Sequence, residues 1–282
     1  GPLFFNKLSL LSNAALIPEV TRTNLQQAYF RTLSRSMVLY DAFRRVADAF
    51  AVNHIQVVAL KGIHLAEWLY GDIGLRQFSD IDLLVKREDG EKCLNILTEL
   101  GFVQSGDEVS NTIMEYSGIV HYPAMVRNDV SVEIHINLHR RQKPYNLDAG
   151  KIIENSEPMV LNQSQVQVPE LHDLLIFLCI HLDKHFTQGD IQFTSFNDIT
   201  NLIDLHGVEI NWEKCIGRCR EFNCESVVFK YLLLVNRFFN VSLPDYILQK
   251  YASTIGEQEV QIFIRYLNGY KSHPYGASTH LK

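Results

Sequence analysis

Two periods of apolar positions mark the elements of this chain. Leu25, Ala28, Tyr29, Leu33, Met37, Tyr40, Phe43, Val46 and Phe50 recur at helical spacing. They predict one long helix from Thr21 or Thr23 to about Ala51, preceded by a short apolar helix over 3–17. Ile55 to Leu60 then reads as a strand that runs through Lys61-Gly62 into a helix over 63–70. Residues 71–74 form a loop. In the next run Asp80 and Asp82 fall on one face of a strand, Ile81 and Leu83 on the other. Leu83-Leu84-Val85 is apolar on both faces, as in a central strand. A helix over 91–100 stops at Gly101, a strand begins at Phe102-Val103, and 113–126 reads as one or two strands. Arg127-Asn128-Asp129 turns the chain into Val130–Ile136, which alternates and places Glu133 and His135 on one face. The connective stretch 140–168 holds a hairpin turned at Asn162-Gln163-Ser164.

From Pro169-Glu170 the pattern is helical: an apolar helix to Phe186, then helices at about 195–206, 211–223, 225–240, 244–251 and 256–269, with a loose tail from Lys271. The pattern implies an α+β fold, a mixed sheet with helices on one side. The expected domains are N-terminal helices (1–52), an α/β core (53–168) and a C-terminal helical domain (169–282).

Composition adds exclusions. A net charge of −6 over 282 residues argues against bulk binding to a nucleic-acid backbone and disfavours RNA as a partner. No apolar run is long enough for a membrane span. Five cysteines, an odd number, and no signal peptide point to a reducing cytoplasm. Cys215 and Cys219 lie one helical turn apart with Cys224 nearby, but without the C-x-x-C spacing of a zinc site.

The chemistry concentrates at Asp80 and Asp82. Two carboxylates at i and i+2 repel, so a raised pKa or a bound cation is expected. Hard oxygen donors side by side on a strand suit Mg²⁺, while a strand end facing water is an equal reading of the pair alone. Removing Asp82 should then relieve strain in the metal-free protein. The strand–Lys61-Gly62–helix junction leaves backbone N–H groups free for a phosphate, and Glu133 adds a third carboxylate. If the strand continues past His135, His139 shares its face and a His-based zinc site becomes conceivable. Otherwise His135 hydrogen-bonds a carboxylate or orients substrate. His181, Lys184 and His185 cluster on one helix, and Asp198 on the next is a candidate partner for His181 or Lys184. His181 equally reads as a core histidine.

Leu60-Lys61-Gly62, Arg76, Asp80-Ile81-Asp82 and Glu133-Ile134-His135, followed by a helical region with a His and a later Asp, resemble the DNA polymerase β-like nucleotidyltransferase superfamily. Within it, the chain is most similar to the bacterial family of uncharacterised nucleotidyltransferases, over roughly residues 50 to 205. The superfamily's usual Gly-Gly or Gly-Ser pair is replaced by Lys61-Gly62. The resemblance implies a polymerase β-like core, catalytic and metal-ligating Asp80, Asp82 and Glu133, Mg²⁺ (or Mn²⁺), and an NTP, ATP being expected. On that basis an NMP moves to the hydroxyl of an unidentified small molecule or protein, and pyrophosphate leaves. Lys61, Gly62 and Arg76 are then expected on the triphosphate. His181 and Lys184 would face nucleotide or acceptor from a helical half that closes the cleft. Two alternatives use the same residues: a non-catalytic nucleotide-binding regulator, and a metal-dependent hydrolase built on His135, His139 and the carboxylates.

Overall fold

The structure, a computed structural model, describes residues 17–105, 119–139, 145–188 and 193–267. The expected short helix over 3–17, all but its last residue, the strand residues 113–118 and the tail from Lys271 lie outside them. The chain divides into two compact units. The first comprises Gly1–Arg140 and Asp148–Glu170, the second Arg141–Leu147 and Leu171–Lys282.

In the first unit α1 (Glu19–Val52) leads into β1 (Val58–Ala59), α2 (Lys61–Trp68) and β2 (Asp80–Leu84). Next come α3 (Gly90–Glu99), β3 (Val103–Gln104), β4 (Met125–Arg127) and β5 (Val130–His135), then α4 (Ala149–Glu154), β6 (Glu157–Leu161) and β7 (Ser164–Val168). The strands make one mixed sheet in the order β3-β4-β5-β2-β1-β7-β6. β2 lies parallel to β5 and antiparallel to β1, while β1 runs parallel to β7. Two turns set the hairpin registers. Asn128 and Asp129 join β4 to β5 with φ of 45° and 65°, and Asn162 and Gln163 join β6 to β7 with φ of 44° and 70°. Left-handed pairs of this kind match the twist of the strands they connect, and Asn and Asp tolerate them best.

One face of the sheet is covered. Ala59, Ile81, Leu83, Val132, Ile134 and Val166 point into a core shared with Leu39, Phe43, Val46 and Phe50 of α1, Ile63 of α2 and Leu97 of α3. The buried stripe of α1 is narrower than its apolar pattern: Met37 is 60% exposed. Residues of opposite parity on β2 and β5 lie on the other face, which is where the charged side chains collect. The strand expected over 55–60 is assigned only at Val58 and Ala59, with the Val57 carbonyl accepting from Gln167 of β7 at 3.0 Å, and Ile55 is buried ahead of it.

The second unit is helical: α5 (Leu171–Gln188), α6 (Phe193–His206), α7 (Trp212–Glu221), α8 (Glu225–Phe239), α9 (Asp245–Tyr251) and α10 (Glu257–Leu267). Its interior holds two satisfied carboxylates. Asp173 receives a two-pronged hydrogen bond from Arg218 at 2.9 and 2.8 Å. Asp183 accepts from Tyr231 Oη at 3.0 Å, Lys230 Nζ at 3.2 Å and Tyr145 Oη at 3.3 Å. Among the described residues no helix is long and apolar enough to cross a membrane.

Candidate active site

The parallel register of β2 and β5 builds the site. Asp80 faces Ser131, Asp82 faces Glu133 and Leu84 faces His135 across the ladder. Registered residues of parallel strands share a face, so two carboxylates come side by side and Asp80 stands one pleat back. Arg35 of α1 ties the start of this strand pair, donating to the carbonyls of Ser79 at 3.1 Å and Asp129 at 2.7 Å. β1 supplies the cation. The Leu60 N–H donates to the Asp82 carbonyl at 3.0 Å, so the chain leaves the sheet beside Asp82 and Lys61 opens α2 there. Lys61 does so with φ of +22°, a left-handed value uncommon for a side chain other than glycine.

Asp82 is 2% exposed and both its oxygens are engaged. Lys61 Nζ donates to Oδ2 at 3.0 Å and His135 Nε2 to Oδ1 at 2.7 Å. His135 Nε2 is also 3.5 Å from Glu133 Oε2. On the far side of Glu133 stands His121, its Nε2 3.7 Å from the same oxygen and its Nδ1 2.8 Å from the Tyr122 carbonyl. A carbonyl only accepts, so His121 Nδ1 carries a proton.

These contacts split the acidities of the pair. Burial and the neighbouring Asp82 charge push the Asp80 carboxyl up. Burial acts on Asp82 too, but the Lys61 ammonium and the His135 hydrogen bond outweigh it and hold Asp82 well below the usual carboxylate range. The hydrogen bond from His135 lowers Glu133 against the effect of burial. Burial alone would lower His135; its bonds to Asp82 and Glu133 raise it instead.

The donor set fits a divalent cation. Asp82, Glu133 and His135 each offer one atom, all within 4.8 Å of one another, the span of ligands around a single ion with bonds of about 2.0–2.3 Å. No cysteine belongs to such a group among the described residues; all five are buried and free.

The other expected residues lie as follows. Gly62 is buried, and a Cβ there would stand 2.8 Å from the Phe78 ring, so close ring packing requires this glycine. Arg76 is buried, and its charge acts on Tyr40 and on His64. His139 follows the end of β5 in a bend and does not extend the strand face of Glu133 and His135. In the second unit His181 is half-buried with its Nε2 3.1 Å from His185 Nε2, Lys184 is exposed, and Asp198 is buried on α6.

His121 escaped the sequence reading. It lies within the stretch 113–126 read as strand, where nothing marks it as a site residue, and joins the sheet through one isolated antiparallel bridge to His135. The only available signal was a histidine a few residues ahead of the hairpin that carries Glu133.

A family model described as "Uncharacterised nucleotidyltransferase" matches residues 1–240. No curated protein matches. Among solved structures, the antibiotic-resistance factor ANT(2'')-Ia in solution is 11% identical, with a TM-score of 0.46, covering 66% of this chain and 93% of that one. The same protein crystallised with adenylyl-2''-tobramycin is 12% identical at a TM-score of 0.45, covering 64% and 97%. An antigenic nucleotidyltransferase-like protein from Paracoccidioides brasiliensis is 14% identical at a TM-score of 0.38, covering 67% and 91%.

Proposed function

The chain belongs to the family of uncharacterised nucleotidyltransferases, and from that premise we propose that it moves an NMP group from an NTP, expected to be ATP, to a hydroxyl of a small molecule or protein, releasing pyrophosphate. The observation that carries this reading is the side-by-side register of Asp82 and Glu133, with Asp80 on the same face and Lys61 against Asp82. Two divalent cations held by Asp80, Asp82 and Glu133, expected to be Mg²⁺ or Mn²⁺, would neutralise phosphate charge and acidify the acceptor hydroxyl. Lys61 has a second partner in this scheme. Its ammonium balances Asp82 in the free protein and turns to the β and γ phosphates when nucleotide arrives. Glu133 stays ionised, because the hydrogen bond from His135 lowers its pKa, and it is assigned to take the acceptor's proton. Arg76 is assigned to the electrostatics of the triphosphate, and the backbone at Gly62 to phosphate contact.

His181 and Lys184 are proposed to bind nucleotide or acceptor, with Asp198 supporting them. The exposure of Lys184 supports its part in this, since solvent and ligands reach its ammonium. Melting temperatures with a non-hydrolysable NTP and Mg²⁺ test the scheme. The parent protein should be stabilised only when both are present, and Asp82→Asn should lose that gain. Lys184→Ala should weaken nucleotide or acceptor binding by roughly 1–3 kcal/mol, the cost of one charged hydrogen bond. A full Mg²⁺-dependent gain in Asp82→Asn would remove Asp82 from the metal site.

A further inference from the structure

We propose that the metal site selects a first-row transition ion over Mg²⁺, because His135 Nε2 is a ligand beside Asp82 and Glu133. The inference rests on the proposed transfer chemistry and specifies its metal.

Three features of the site carry it. The first is spacing. His135 Nε2 lies 2.7 Å from Asp82 Oδ1 and 3.5 Å from Glu133 Oε2. Neighbouring ligands around one ion, with bonds of about 2.1 Å, stand roughly 3 Å apart. The imidazole nitrogen therefore already occupies a ligand position, and a cation reaching both carboxylates meets it.

The second is the state of the ring. His135 is 6% exposed, and its Nδ1 is buried with no hydrogen-bond partner among the described residues. A ligating histidine carries its proton on the nitrogen away from the metal. No donor is aimed at Nδ1 to hold a lone pair there. The proton can therefore sit on Nδ1 and leave Nε2 to the ion.

The third is the neighbour. His121 Nδ1 donates to the Tyr122 carbonyl, which turns Nε2 towards Glu133, 3.7 Å from its Oε2. The rings of His121 and His135 stand 5.1 Å apart. Two nitrogens thus border a site whose other donors are oxygens.

Donor type then decides the metal. Mg²⁺ prefers oxygen ligands and gives up its water reluctantly. Imidazole favours ions along the series from Mn²⁺ upwards. An oxygen-only pair such as Asp80 and Asp82 discriminates little between Mg²⁺ and Mn²⁺; adding His135 tips the balance.

The test uses the whole chain with a non-hydrolysable NTP, Mn²⁺ as the probe and pulsed electron paramagnetic resonance as the readout. The bound Mn²⁺ should show nitrogen modulation that changes when the histidines are labelled with ¹⁵N. It should also resist displacement by about tenfold excess Mg²⁺. The labelling experiment needs no variant, so a fold that fails on substitution does not obstruct it. His135→Gln, checked for folding by circular dichroism, should lose the modulation and about tenfold of the preference for Mn²⁺ over Mg²⁺. Mn²⁺ bound without nitrogen modulation and displaced by equimolar Mg²⁺ would overturn the inference and leave the proposed transfer standing. Retention of neither ion, with or without nucleotide, would overturn both.

Discussion

Asp80 and Asp82 are two residues apart on one strand, and their carboxyls titrate in opposite directions. The sequence shows their shared face and their repulsion; it does not show which of them carries the strain. Lys61 and His135 settle that by taking both oxygens of Asp82. Asp80 is left with the burial and the repulsion. Relief in the metal-free protein is therefore expected from Asp80→Asn, which should raise the melting temperature. The expectation that substituting Asp82 relieves strain is reversed. Asp82→Ala strands the half-buried Lys61 ammonium and should cost roughly 3 kcal/mol, the low end for breaking a buried pair, since His135 can shed its proton. Denaturant melts of the two variants without metal check both signs. His135 supplies a pH test. Its folded pKa is raised above the ordinary 6.5, so its contribution is complete below pH 6.5 and fades as pH rises through the folded value. The melting temperature of the metal-free protein should fall over that window, and His135→Gln should flatten the fall. An equal fall in both proteins would remove His135 as its source.

At the scale of elements, the strand carrying the aspartates and the strand carrying Glu133 were legible because side-chain alternation is strict in both. Their parallel pairing was not. Register depends on which strands become neighbours, and β2 and β5 are separated by a helix and two strands. The aspartate-bearing strand also has Lys61 on it only because β1, two paired residues long, ends beside Asp82. Gly62 shows a similar gap. Its place at a strand–helix junction suggests close approach by phosphate, whereas the structure adds the Phe78 ring, which no spacing in the sequence ties to it. Gly62→Ala should destabilise by about 1–3 kcal/mol through overpacking. Phe78→Ala in the same chain should recover part of that loss, because the clash is with the ring and its root. A chemical-denaturation cycle over the two single variants and the double measures this coupling. Additive losses would show that Gly62 is required for another reason.

At the scale of the molecule, helices before, within and after one mixed sheet were readable from the change of period along the chain, from helical to alternating and back. The path of the chain was less so. Residues 141–147 belong to the second unit, although 148–170 return to the first. Tyr145 of that excursion is buried and donates to Asp183. A connective stretch with prolines and a glycine gives no hint of such an anchor.

The central claim is transfer of the α-phosphorus of an NTP by the Asp80, Asp82 and Glu133 face. Paired reactions test it most directly: ATP labelled at the α or the γ phosphate, incubated with the protein, a divalent metal and a cell extract. The account predicts that only the α label becomes attached to an acceptor, that the γ label leaves with pyrophosphate, and that Asp82→Asn abolishes attachment while remaining folded. Attachment of the γ label, or α labelling that survives in Asp82→Asn, would contradict it.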